Sequence, residues 1–531
     1  MLELKHENDT IFLGSAVPEE GGGTTVYPPQ HITGKSIEKS GTAYTLKWTD
    51  PADTVVDGQT LCVWGGTLIV RKAGEYPKSW RDGTIVVDNK ERNRYATTGF
   101  VDTVDDASID YKYRAFPYSL NGTPNNEYYN MFGVWILEFT ETGPESSPNN
   151  RIVYGGDNAD FTPAFMDFTN DVFNWGSWEN HPIVSQDYIR PCMLYNADAE
   201  TGLNGTVAYY LDPADHTKKD GTDEASDVGN PDFPGNAMVQ WRGVFTRTVV
   251  TGDVRTYTLS NIKLDDTFEC WNTKKADGTY ADYFYTPMFP GSVIDGKLRS
   301  LSGQAVNKSK NAQTEINYAK ANGTGWYTET HADNEYEKTL FKLLFRSTSG
   351  QAKLGEGVSA GGESALVATG TLNDKGMMYG SSSTSVGVKF CYMEHWWAHQ
   401  WRRYAGHIYK DGVHYVKMTA STIDGSTADG YNLTGDGYIK LDVPACSGSS
   451  GSYIKESVVV PKYGEFPTVM SGGSESTYLC DGCWFNNSGT RYPYRGGVAY
   501  GGRKCGPWCV DVDGAAPYTA WTLSAALSYH Q

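Results

Sequence analysis

The 531-residue chain has no apolar run that approaches the length of a membrane span, and no basic run longer than pairs such as Lys274-Lys275 and Arg402-Arg403. The first absence argues against membrane insertion. The second, with a formal net charge of −18, removes the electrostatic footprint of a nucleic-acid binder. The opening residues, Met1-Leu-Glu-Leu-Lys-His-Glu-Asn-Asp, carry neither a basic nor an apolar leader segment, so a soluble product made in the cytosol is expected. No repeat of solenoid period is visible. What is abundant is Gly (59), Tyr (36) and Trp (15), with only 20% charged residues. That composition fits a mostly β, loop-heavy protein of roughly two to four domains.

The nine cysteines are an odd number, and Cys62, Cys192, Cys270, Cys391 and Cys446 lie singly, too far apart to suggest a disulfide framework. Cys480-Asp-Gly-Cys483 and Cys505-Gly-Pro-Trp-Cys509 have spacings that tetrahedral zinc accepts. Against zinc, Asp-Gly reads as a tight turn, and the alternation from Cys509 reads as a strand that sends Cys509 and Val510 to opposite faces. Zinc, a disulfide and free thiols all remain open for this cluster, free thiols being favoured; no metal or cofactor is assigned.

Residues 1–30 end in a Gly/Pro stretch and read as an arm and linker that orders only against a partner. Residues 31–140 carry short alternating strands, Tyr44–Trp48, Thr67–Lys72 and Tyr111–Phe116, the pattern of a β-sandwich. Residues 141–184 open on a Pro-, Ser- and Asn-rich linker. Beyond it, 208–236 reads as a long ordered loop. Val239–Arg242, Arg255–Leu259, Phe268–Trp271 and Val386–Tyr392 read as strands, while 310–319 and 336–344 show helical periodicity. Residues 347–385 are Gly/Ser-rich with almost no periodicity. The fold class expected is mostly β with an α+β head over 185–531.

The last fifty residues are dense in Tyr, Trp, Asn, Ser, Arg and Gly, the composition of a binding surface in which rigid aromatics and adaptable polar groups meet on Gly-rich turns. Asn486, Arg491, Tyr492, Tyr494, Tyr500, Arg503 and Trp508 are the ligand-binding candidates, expected to face solvent.

Trp48 before Asp50-Pro51, and Tyr111-Lys-Tyr113-Arg-Ala115, resemble a fibronectin type III domain of the sort found in phage tail proteins. Glu394-His-Trp396-Trp-Ala-His-Gln-Trp401-Arg402-Arg403, Asp436-Gly437-Tyr-Ile-Lys440, Arg495-Gly496-Gly497 and Leu523–His530 resemble the C-type-lectin-like domain of phage tail receptor-binding proteins. The resemblance covers roughly residues 185–531. It extends to proteins whose C-terminal segment is varied by diversity-generating retroelements. It implies a homotrimeric tail fibre or tail-tip adhesin, assembled in the host cytoplasm, docked to other tail proteins by its N-terminus and binding a host surface protein or glycan. The calcium tripeptides of sugar-binding lectins (Glu-Pro-Asn, Gln-Pro-Asp, Trp-Asn-Asp) do not occur, so calcium-dependent sugar binding is not implied. A structural or decoration role in the virion is the rival reading.

Enzymatic readings carry less. A formylglycine-generating-type oxidase, a member of the same fold class, needs a reactive cysteine pair, which only the 480/483/505/509 cluster offers. His395-Trp-Trp-Ala-His399 has metalloprotease spacing, but Trp396 stands where the catalytic Glu belongs, so an aromatic cluster is the simpler account. Asp511 and Asp513 read as solvated strand-end carboxylates. Glu394 and Asp481 are two of many carboxylates that a glycosidase or surface depolymerase could use. No catalytic residue is assigned, and a non-enzymatic protein is expected.

Overall fold

The computed structural model describes residues 32–56, 59–74, 76–77, 83–119, 182–184, 186, 188–197, 202–252, 254–260, 263, 265–345, 347–419, 437–474 and 478–531. Elsewhere it describes mainly the pairing of strands at 2–6, 9–13, 136–142, 145–147, 151–153 and 164–167. Apart from these strands, the expected arm and most of the expected linker lie outside the described residues. The chain is mostly β, with 41% strand and 9% helix. Among the described residues no helix is long and apolar enough to cross a membrane.

Within residues 32–119, alternation gives two three-stranded antiparallel sheets. Thr33–Ser40, Ala43–Thr49 and Phe100–Thr103 form one, and Tyr111–Ser119, Trp64–Ala73 and Thr84–Asn89 the other. Their inner faces share a core of Tyr44, Leu46, Trp48, Ile69, Tyr113 and Ala115. Trp48 is buried because its one polar atom is satisfied: Nε1 donates to Asp50 Oδ1 at 2.7 Å. Asp50 also accepts from Thr67 Oγ1, Asn89 Nδ2 and the Asn93 N–H, which ties the turn after Ala43–Thr49 to both sheets.

The larger part is built round two helices, α1 (Ala312–Lys320) and α2 (His331–Phe345). Both start on side-chain caps. Asn311 accepts from Thr314 N–H at 2.8 Å, and Thr330 and Asp333 cap each other reciprocally at 3.0 and 3.1 Å. All of α2 except Glu335, Thr339 and Phe345 is buried. It is enclosed because its residues meet two sheets at once. Tyr336 packs on Trp241 and Phe284 of a six-stranded sheet, and Phe341 packs on Trp396, Trp397 and Trp508 on the side of a ten-stranded one. The end of the chain stitches those sheets together. Leu523–Ala525 pairs in parallel with Trp401–Arg403 of the large sheet, and Leu527–Tyr529 pairs with Trp326–Thr328 of the other.

Several local expectations change. Phe268–Trp271 is a turn with one bridge, Thr246 to Glu269, because Asp265 and Thr267 close a tight turn ahead of it. Of Val386–Tyr392 only Lys389–Phe390 pairs, with Met393–Glu394, since Cys391 and Tyr392 turn the chain through φ of 47° and 67°. The expected linker contributes strands: Arg151–Val153 joins the large sheet beside Ser452–Val460. Ile136–Thr142 pairs with Val254–Ser260 rather than with the sandwich.

Four buried charges fasten α2. Glu337 on the helix and Glu329 just before it meet Arg495 and Arg402, which project from neighbouring strands of the large sheet. Arg495 Nη2 lies 3.3 Å from Glu337 and in closer contact with Glu329, and Arg402 Nη1 is 3.5 Å from Glu329. Arg402 Nη2 also donates to the carbonyls of Glu394 and His395. Removing one partner of such a set leaves a buried charge without a counterion. Glu329→Ala is therefore expected to lower stability in urea titration by about 3–5 kcal/mol. Lys218→Ala, at an exposed pair with Asp223, is expected to change it by under about 0.5 kcal/mol.

Candidate functional site

The strand Gly506–Val512 lies between Gly482–Phe485, to which it is parallel, and Tyr494–Gly496, to which it is antiparallel. Its alternate residues divide the sheet into two faces. Trp508 and Val512 point into the main core with Cys483, while Cys509 joins Trp401, Tyr494, Val498 and Leu523 in a thinner layer on the opposite side. Asp511 belongs to this second face, in register with Trp484 on one neighbouring strand and Tyr494 on the other. Above the layer stand Trp484 and Trp521, both half-buried, and Tyr500 and Tyr518, which are 61% and 52% exposed.

The aromatics are braced. Trp401 meets Trp484 edge to face at 5.4 Å, and Tyr500 meets Trp521 edge to face at 5.8 Å. Lys504 extends over Trp484, 5.8 Å from its ring centroid, and donates to the Gly451 carbonyl at 2.6 Å. Gln400 Nε2 holds the Trp521 carbonyl at 2.6 Å. Gly514 must be glycine, because a Cβ there would lie 1.0 Å from the Tyr494 hydroxyl. In the middle of this surface Asp511 accepts from the Asp513 N–H at 2.7 Å. Burial pushes its carboxyl up to about 7, and the charge of Asp513 adds to the rise against the opposing pull of backbone N–H groups. In its protonated form this carboxyl can donate as well as accept hydrogen bonds beside the rings, an arrangement that suits a polyhydroxylated or amide-bearing ligand laid across aromatic faces.

The seven residues proposed from sequence divide. Tyr500 and Arg503 are exposed, Arg503 in an ion pair with Glu356 at 2.6 Å. Asn486 and Arg491 are half-buried and serve their own turn. Asn486 Oδ1 accepts from Ser488 N–H, and Arg491 donates twice to the Ser488 carbonyl. Tyr492, Tyr494 and Trp508 do not face solvent. Tyr492 packs with Ile316 of α1 and Ile408, and Tyr494 lies under Gly514 beside Trp401. Trp508 is clamped between Phe341 and Lys342 of α2, with Nε1 donating to Glu465 at 3.1 Å. Tyr494 and Trp508 lie on strands and Tyr492 on the short connection between two strands, each with a helix or a second layer against its ring, so burial wins over display. Sequence reasoning passed over Trp521 and Tyr518 as contact residues, because the turn that carries them has no periodicity. It also took Asp511 for a solvated carboxylate, although its register opposite Trp484 and Tyr494 makes it half-buried.

The four clustered cysteines are buried, and none of them is in a disulfide. Burial raises the Cys483 and Cys509 thiols well above their ordinary range and pushes Cys505 up to about 12, the reverse of what a reactive thiolate requires. Among the described residues no group of three or more His, Cys, Asp or Glu is placed to hold a metal ion. His395 and His399 stack on each other at 4.2 Å inside the core, on a segment of left-handed turns rather than a helix. Glu394 and Asp481 are also buried and accept from backbone N–H groups, Glu394 from Gly370 and Leu372 and Asp481 from Trp508, so neither lines an open groove. No protein-family model matches the chain, and no curated protein matches it.

Two outcomes follow from this geometry. Trp508→Ala is expected to cost about 3–5 kcal/mol in urea titration, whereas Tyr500→Ala should stay within about 0.5 kcal/mol of the parent. The second concerns pH. An acid whose folded-state pKa stands above its unfolded value of about 3.9 binds its proton more tightly when folded. Its contribution to stability is therefore full below about 4 and is lost as pH rises through about 7. Asp511→Asn keeps an acceptor for Asp513 N–H but removes this loss. Between pH 5 and pH 8 the variant is expected to gain about 1 kcal/mol on the parent in parallel thermal melts, less than full burial would give because solvent screens the group.

Proposed function

We propose that the chain is an adhesin of a bacteriophage tail, a fibre or tail-tip protein, that binds a host surface protein or glycan through the second face of its C-terminal sheet. The observation that carries this reading is the set of half-buried and exposed rings near the end of the chain, Trp484, Trp521, Tyr500 and Tyr518, with Asp511 in register beside Trp484 and Tyr500 edge to face on Trp521. Exposed aromatics braced from below cost little entropy when they stack on a ligand. The likeness of residues 185–531 to C-type-lectin-like receptor-binding domains, and of the Trp48 sandwich to fibronectin type III spacers, supports the same assignment. In a trimer, three such faces would add avidity to contacts that are individually weak.

The test is attachment of the fluorescently labelled full-length chain to host cells. The double variant Tyr500→Ala/Tyr518→Ala is expected to lose at least tenfold in cell labelling with an unchanged melting temperature, since each exposed interface aromatic commonly contributes about 1–2 kcal/mol. Labelling that is unaffected by the double substitution would rule out this face. A protein that labels only virions would replace adhesion with a decoration role.

A further inference from the structure

Lys342 of α2 touches two buried carboxylates that come from strands far apart in the chain. Glu141 belongs to Ile136–Thr142 and Glu465 to Gly464–Ser471. The side chains of Lys342, Glu141 and Glu465 are 4%, 0% and 6% exposed, so the cluster is closed to bulk water. Lys342 Nζ lies 3.0 Å from Glu141 Oε1 and 3.1 Å from Oε2, and so within about 3.5 Å of the carboxyl carbon, the range of a near-attack pair. It also donates to Glu465 Oε2 at 2.9 Å. Aromatic rings flank the three groups, with Nζ 5.2 Å from the centroid of Tyr257 and 5.5 Å from that of Trp508. The Tyr257 hydroxyl donates to Glu141 Oε2 at 2.9 Å, and Trp508 Nε1 donates to Glu465 Oε2 at 3.1 Å. Glu141 Oε1 has the ammonium beside it but accepts no hydrogen bond.

We propose that Lys342 and Glu141 are a self-modification site, at which the folded chain forms an intramolecular isopeptide bond with Glu465 as the proton carrier. Condensation needs a neutral amine and a protonated carboxyl in contact, and water kept out. Burial holds the Glu141 carboxyl above its ordinary range against the pull of the Lys342 ammonium, and the charge of Glu465 adds to the rise. In the first step Glu465 takes a proton from the ammonium. The freed electron pair on Nζ attacks the Glu141 carboxyl carbon, the C–N bond forms, and the negative charge that develops on Oε2 is met by the Tyr257 hydroxyl. In the second step Glu465 returns its proton to the Oε1 hydroxyl and takes another from the new C–N nitrogen. The C–Oε1 bond breaks, water leaves, and the amide remains. In sum, an ammonium, a carboxylic acid and the Glu465 carboxylate give an amide, a water molecule and protonated Glu465, with no oxidant or co-reactant. A cavity of about 70 Å³, lined by Lys342, Glu465, Tyr257 and Trp508 among others, has room for the released water. The product joins the strand Ile136–Thr142 to α2 through a bond that denaturants do not break.

The experiment takes the full-length folded protein, denatures and reduces it, and reads its intact mass and its tryptic peptides by mass spectrometry. The expected intact mass is that of the chain less one water molecule. A succinimide at an Asp-Gly step would lose the same mass, so the digest decides. Trypsin is expected to leave Lys342 uncut and to release the peptide Thr339–Arg346 joined to Ala115–Arg151, with fragment ions that place the link on Lys342 and Glu141. Glu141→Ala is expected to give the unlinked chain. Glu465→Gln, checked for a cooperative melt so that misfolding is not the cause, is expected to lower the linked fraction at least tenfold. The proposal is overturned if the two peptides are recovered only apart, with cleavage after Lys342. A link from Lys342 to the peptide Tyr463–Arg491 would overturn the assignment of Glu141 as acceptor, and an undiminished linked fraction in folded Glu465→Gln would overturn the role of Glu465.

Discussion

Two arginines sealed inside the larger part of the protein constrain most of what surrounds them. Arg402 and Arg495 are both almost fully buried, on adjacent strands of the large sheet, and the charges that answer them come from one place, Glu329 and Glu337 at and within α2. A buried guanidinium is tolerable only when its counterion and hydrogen-bond acceptors are in position. The helix therefore has one productive depth and rotation against the sheet. Trp396 Nε1 reinforces that setting by donating to Glu337 at 2.5 Å. On the helix's other side Lys342 meets Glu141 and Glu465 at 3.0 and 2.9 Å. Apolar packing of Leu340, Phe341 and Leu344 supplies the driving force, and the ion pairs select the register in which it acts.

The same register explains why one C-terminal strand has two characters. Trp508 is drawn inward because α2 already presents Phe341 and Lys342 at that position, whereas Asp511, one step off the inward alternation, must take the opposite face. Among the described residues the cluster on that face draws on no α-helix, only on the thin layer round Trp401, with the turn beginning at Gly514 beside it. Rings there are supported from below and open above. Side chains mounted on such a support vary little in position.

Much of the scaffold was legible from the residues. Alternation located three of the six sandwich strands and the buried Trp48, and helical steps located α1 and α2 to within a few residues at most boundaries. The exceptions have local causes. Phe268–Trp271 alternates well enough for a strand, but a turn closed by Asp265 carries it away from any ladder but one bridge. Val386–Tyr392 is cut short by left-handed residues that are not glycine, so no residue type announced the turn. Of the surface, Tyr500 and Arg503 were identified correctly as exposed. Tyr492, Tyr494 and Trp508 were not, because an aromatic residue on a strand reads the same whether a helix covers it or nothing does.

The sequence by itself determined a mostly β chain with two capped helices, an acidic surface, and a terminal segment rich in the side chains that make contacts. Those properties follow from composition, period and capping, which act over a few residues. Only the tertiary structure decided which rings became core and which became surface, and that Asp511 stands between Trp484 and Tyr494. These are consequences of strand order and of the depth at which α2 sits. Both are set by contacts between residues far apart in the chain, where local pattern carries no information about which partner will arrive.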